Sequence, residues 1–336
     1  MPGPKTHQIF YKQLKEYLNK EALEVFPNYD DYSIFAQGHD LLIYHDFYKI
    51  HNQAQLGRNI KLSKMLQEYC FSEFVYCYLK YAEEMEVLDN EQVRLFIGPG
   101  YVGHHILDAY THPLIIYFAG DHVRDSGRKT WRHGIAENLI DIYLMKHIEK
   151  VDAHRCRVHK DFVFPVGEMA EEVVCVLDKS LEAVYGILNG GKAFTKACSQ
   201  VSQYMRFLKY DPIGAKRIVF DAVDPLLKGT ASFSYCRSEE NAIEFLNQEH
   251  EWWVNPMTDT IQSQASFMEL YQKALVDCGI IIEKLEVLCK RGKIEREDIC
   301  AIIPDIASTH GLSCGKTMEI KYTKEMGGHD RGQSKL

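Results

Sequence analysis

This chain predicts an all-α fold in a single large domain, and three observations carry that reading. Apolar residues recur at helical spacing through most of its 336 residues. Alternating strand pattern is almost absent. Hydrophobic residues make up 46% and aromatics 12%, enough for a substantial core and against disorder. The length allows one large domain or two ordinary ones; with no repeat and no convincing linker, one domain over 1–312 is expected, followed by a flexible polar tail over 313–336.

In order along the chain, residues from about His7 to Glu24 read as an amphipathic helix with Ile9, Phe10, Leu14, Leu18 and Leu23 on its apolar side. Phe35 to Tyr48 is dense in Gly, His and Asp and reads as structured loop feeding a helix. Ile60 to Met85 reads as one long aromatic-rich helix. Glu91 to Tyr110 is helical with a kink or restart at Gly98-Pro99-Gly100, and Pro113 is expected to end that helix at His112. Further helices are expected over 129–150, 166–188, 193–207, 214–228, 237–247, 264–290 and 295–303. Asn189-Gly190-Gly191 punctuates between two of them.

The net charge is −8, and no basic tract of the kind that tracks a phosphate backbone is present, so no stable nucleic-acid partner is expected. No run approaches the roughly 18 apolar residues of a membrane span, and the first residues lack a signal-peptide stretch. The ten cysteines show no C-x-x-C spacing; Cys70, Cys77, Cys175, Cys278 and Cys289 fall in apolar helical pattern and read as buried, reduced thiols of a cytoplasmic protein. The closing Ser334-Lys335-Leu336 matches a peroxisomal address and is treated as coincidence.

The chemistry concentrates between residues 104 and 137. His104, Asp108 and His112 stand at successive i, i+4 positions, and His133 and Glu137 repeat the spacing on the next helix. Chance alone supplies roughly two His-x-x-x-Asp/Glu pairs in a chain of this composition, so spacing by itself decides nothing. What matters is that the pairs cluster, with His105 and His122, among Leu107, Ala109, Leu114, Ile115 and Ile116. An unpaired charge is expensive there. A borderline metal such as Zn²⁺ takes imidazole and carboxylate ligands and offsets that cost. His105 points about 100° away from His104 and reads as a supporting or packing residue.

Tyr101 to Pro113 contains G-H-x-x-x-D-x-x-x-H-P, which resembles the matching segment of the zinc-dependent phospholipase C family. Thr6-His7 resembles the early family histidine. Ala36-Gln37-Gly38-His39-Asp40 resembles its G-x-D segment, with His39 where Pro is usual, and Arg132-His133 through Glu137 resembles its H-x-x-x-E segment. His250-Glu251-Trp252-Trp253-Val254-Asn255-Pro256 looks like the C-terminal region of intracellular bacterial members. The resemblance implies an all-α fold with two or three Zn²⁺ ions: one on Asp40, His104 and Asp108, one on His112, His133 and Glu137, and one on His7 sharing Asp108. Where the family has a histidine near residues 65–68, this chain has Leu66 and Gln67, and His45 or His51 are the candidates to replace it. The implied activity is hydrolysis of a phosphodiester, phospholipid or small and soluble, with Asp40 orienting or deprotonating water. A nuclease or nucleotide phosphodiesterase of the same architecture, and a non-catalytic metal-binding or interaction protein, are the alternatives. Oligomeric state is left open.

Overall fold

A computed structural model describes residues 3–47, 53–120, 130–164, 169–227, 234–235, 242–315 and 320–324. It is 69% helix and 2% strand, so the all-α expectation holds. The helices are α1 (Pro4–Leu14), α2 (Lys20–Leu23), α3 (Leu41–Tyr44), α4 (Gln53–Glu68), α5 (Phe71–Glu84), α6 (Glu91–Leu95) and α7 (Gly103–Ala119). They continue with α8 (Thr130–His147), α9 (Glu171–Tyr185), α10 (Gly190–Tyr204), α11 (Ala215–Leu227), α12 (Ile243–Leu246), α13 (Phe267–Arg291) and α14 (Arg296–Ile302). The described strands are two-residue β1 (Trp253–Val254) and β2 (Gln262–Ser263), paired antiparallel.

α7 is the axis of the fold. Of its 17 residues all but Tyr110 are buried, the pattern of a helix enclosed on every side. It packs against α1, α8, α12, α13 and the 3₁₀ stretch Tyr29–Asp40. That stretch can lie close because Gly100, in the π-helical turn Phe96–Val102, has no Cβ; one would sit 2.9 Å from the Cβ of Phe35. The kink expected at Gly98-Pro99-Gly100 is thus a π-turn between α6 and α7.

Pro113 does not end the helix, contrary to the sequence reading. It removes the N–H that would bond Ala109 O, but that carbonyl lies under Gly311, where a Cβ would come within 2.5 Å of it. The close covering comes from a distant segment, so no local rule announces it. Three other boundaries differ. The His7–Glu24 helix breaks at Leu18, which is extended, before Asn19 caps α2 with its side chain. The Ile60–Met85 helix is two helices, because Cys70 takes a left-handed conformation at φ 57° and becomes exposed rather than buried. In the 237–247 segment the helix described is α12, and residues 236–241 lie outside the described set.

The nine described cysteines are free thiols, with Cys198, Cys278 and Cys289 buried. Trp253 is buried and donates from Nε1 to Ala265 O, whereas Trp252 is exposed. α13 begins in a reciprocal Ser266–Glu269 capping box and ends at Gly292 in the left-handed region. The described part of the expected tail is anchored: Gly315 N donates to Glu68 O and Lys321 N to Pro256 O. No helix among the described residues is long and apolar enough to cross a membrane.

Gly311 has φ 67° as well as the close Ala109 carbonyl. Gly311→Ala should therefore lower the unfolding free energy by about 2 kcal/mol, from left-handed strain and loss of fit. Urea denaturation checks this; a loss below about 0.5 kcal/mol, the range of neutral surface changes, would mean that the Gly311 contact is not what accommodates Pro113.

Candidate metal centre

α7 places His104, Asp108 and His112 on successive turns, each step about 6 Å along the axis. α8 repeats the device with His133, Glu137 and Asp141. Asp141 does not join the histidines. It accepts hydrogen bonds from Thr6 N and Thr6 Oγ, both at 2.7 Å, from Lys5 N at 3.3 Å and from the Tyr235 hydroxyl at 2.6 Å. A carboxylate there satisfies the orphan N–H groups at the start of α1 and complements the helix dipole. Gly3 makes room for it, since a Cβ would collide with that carboxylate at 2.3 Å. Pro4 then opens the helix. The cap holds His7, one residue past Thr6, against α7.

His7 Nε2 lies 3.2 Å from Asp108 Oδ1, and His104 Nε2 lies 3.3 Å from Asp108 Oδ2. Each oxygen of one carboxylate thus faces a different imidazole. The two rings stack with centroids 3.8 Å apart. Asp40 adds its Oδ2 at 3.8 Å from His104 Nε2. Although Asp40 stands at the N-cap position of α3, its side chain makes no capping bond. Ligand atoms of His7, Asp40 and His104 converge within 4.8 Å of one another, and so do those of His39, His104 and Asp108. All five residues are buried.

The tautomers are set by backbone carbonyls. His104 Nδ1–H donates to Ala36 O at 2.8 Å, which leaves the Nε2 lone pair facing Asp40 and Asp108. Gly38, at φ 47°, turns the chain between Ala36 and Asp40, and a Cβ there would lie 2.7 Å from His104 Cγ. His133 Nδ1–H likewise donates to Gly120 O at 2.7 Å, so its Nε2 lone pair faces His112 Nε2 at 3.2 Å and Glu137 Oε1 at 3.1 Å. Gly120 closes α7 at φ 81°, another conformation that glycine adopts freely.

His7 Nε2, His104 Nε2 and both oxygens of Asp108 satisfy no hydrogen-bond geometry despite these short approaches. Burial opposes ionisation of Asp108, yet the facing His104 and His7 hold it well below the usual carboxylate range. Burial pushes Asp40 up to about 6 even with His104 beside it. Burial also lowers His7, with His104 adding to the effect, and it lowers His112 well below the ordinary range. For His104 the carboxylates of Asp108 and Asp40 outweigh burial and raise it. These are values for the side chains alone; a bound cation would favour the ionised carboxylates and neutral imidazoles.

The remaining candidates fall elsewhere. His105 stacks on Phe71 at 3.6 Å and donates from Nε2 to Ile306 O; burial lowers it to about 3, so it is a packing residue as expected. His45 is directed at Asp46, whose carboxylate Lys196 binds at 2.7 Å. His51 and His122 lie outside the described residues. Three side chains that spacing rules did not select also reach the centre: His39, whose Nδ1 is 3.2 Å from Asp40 Oδ1, and Ser63 and Gln67, which both donate to that oxygen. Their signal is faint, a histidine beside an aspartate and a polar i, i+4 pair on α4.

No family model, curated protein or solved structure matches this chain.

Because Asp40 ionises only above about 6 in the metal-free chain, protons compete with a cation below that value. Affinity for a divalent cation should therefore be greater above pH 6 and fall, with proton release on binding, as pH drops through it. Chelator-competition titrations on both sides of that pH provide the check. An affinity that does not change between them would remove Asp40 from the ligand set.

Proposed function

We propose that this chain is a multi-zinc phosphodiester hydrolase similar to the zinc-dependent phospholipase C family. The observation that supports it most is Asp108: a carboxylate with no exposure, each oxygen facing a different imidazole nitrogen and neither oxygen hydrogen-bonded. Donor atoms that share a tetrahedral zinc at about 2.0–2.1 Å stand roughly 3.3 Å apart. The separations here, 3.2 and 3.3 Å at Asp108 and 3.2 and 3.1 Å at His133, fit that spacing.

In this reading His104, Asp108 and Asp40 hold one ion, His112, His133 and Glu137 a second, and His7 with Asp108 a third. Bound zinc supplies Lewis acidity, making water a nucleophile at neutral pH and stabilising charge on phosphoryl oxygens. The chain's own groups do the positioning and the proton transfer. Ser63 and Gln67 fix Asp40 through Oδ1, leaving Oδ2 on the His104 side free to orient water or accept its proton. Thr6 and Asp141 hold His7, and the Ala36 and Gly120 carbonyls engage Nδ1 of His104 and His133, turning Nε2 toward the carboxylates. The cytoplasm is the proposed compartment. The substrate is a phosphodiester, either a phospholipid or a small soluble one.

A non-catalytic zinc protein is the second reading, favoured by Gln67, an amide donor to Asp40 near where the family carries a histidine.

Metal analysis of the purified chain should find two or three zinc ions, with losses in His104→Ala and Glu137→Ala. Chelation should lower the thermal midpoint, since zinc binds the folded state. Less than one zinc per chain, with stability indifferent to chelator, would sink the proposal. The loaded protein should hydrolyse bis-p-nitrophenyl phosphate, and Asp40→Asn should lower the rate by about 10²–10⁴-fold, the range of a positioned general base. Zinc without hydrolysis of that substrate or of phosphatidylcholine would favour the second reading.

A further inference from the structure

His39 is fully buried in the 3₁₀ stretch that leads into Asp40, with its ring perpendicular to His104 at 4.4 Å. Its Nδ1 is 3.2 Å from Asp40 Oδ1 and its Nε2 is 3.5 Å from Ser308 Oγ. Two tautomers satisfy those distances. In one, Nδ1–H donates to Asp40 and His39 is a buttress. In the other, Nε2–H donates to Ser308 and Nδ1 presents a lone pair.

The lone pairs of Asp40 decide between them. A carboxylate oxygen offers about two acceptor sites. Ser63 Oγ at 3.3 Å and Gln67 Nε2 at 3.2 Å fill both sites on Oδ1. A proton on His39 Nδ1 would be a third donor to one oxygen. The proton therefore belongs on Nε2, and the Nδ1 lone pair is left beside Asp40. One His39 ring nitrogen already lies within 4.8 Å of its counterparts on His104 and Asp108.

We infer that His39, through Nδ1, ligates the same ion as Asp40, His104 and Asp108. The set is then two imidazoles and two carboxylates, and it needs neither His45 nor His51. Ser308, from the segment after α14, holds the tautomer that makes ligation possible. The assignment rests on the metal reading above and adds a residue to it.

The test uses the full chain with isotope-labelled histidines, loaded with a spin-half cadmium isotope as the zinc surrogate. A ring nitrogen bonded to cadmium is split by scalar coupling, and a neighbouring nitrogen is not. The His39 Nδ1 resonance should be split, and His39→Gln should remove that signal alone. The same substitution should weaken zinc by more than about 100-fold in chelator competition, beyond the roughly 10- to 100-fold cost of losing an outer-shell partner. A split His104 Nε2 beside two unsplit His39 nitrogens would overturn the assignment and leave the metal centre standing. If no histidine is split, the metal reading itself fails. Because the splitting is read in the unaltered chain, the test does not depend on His39→Gln folding.

Discussion

A carboxylate removed from water on all sides has to be balanced by positive charge, and Asp108 imposes that requirement on the whole molecule. The effective penalty for burying an ion is several kcal/mol even after relaxation. Asp108 sits in a helix buried along nearly its whole length and is itself fully buried, so no solvent is at hand to relieve it. The arrangement of the surrounding elements follows from this. α1 brings His7, the 3₁₀ stretch Tyr29–Asp40 brings His39 and Asp40, and α7 itself supplies His104. α1 is held in place by the contacts of Thr6 with Asp141, and the His104 ring by the Ala36 carbonyl.

How much of this the sequence discloses depends on how local the cause is. The all-α class and the two i, i+4 pairs are local, and both emerge from spacing alone. Asp40 and His7 are in irregular or terminal segments, where spacing says nothing, and they came from the ordered likeness to a family. His39 was passed over because a 3₁₀ stretch broken at Gly38 has no period to read. Pro113 misled for the opposite reason: the rule about proline is local, while Gly311, which covers the freed carbonyl, is remote. Cys70 shows the same limit, since its left-handed φ interrupts an otherwise continuous aromatic helix with neither glycine nor proline to mark it.

His104 and His133 share a design. Both donate Nδ1–H to a carbonyl beside a glycine-dependent bend, Ala36 O before Gly38 and Gly120 O at the end of α7. Main-chain geometry thus chooses which ring nitrogen carries the proton of the neutral imidazole. That directs both Nε2 atoms at carboxylates, Asp108 for His104 and Glu137 for His133. It also ties the chemistry of the site to two positions where a Cβ would be strained.

The cap on α1 bears on how the molecule is made. Asp141 stands 136 residues after Lys5, whose amide it accepts, and Tyr235 completes the same carboxylate's bonds later still. During vectorial synthesis the first helix leaves the ribosome long before its partner exists. It must wait, unsatisfied at its leading end, while the central helices form. The cap on α1, one residue before His7, can therefore close only after Asp141 and Tyr235 have been made.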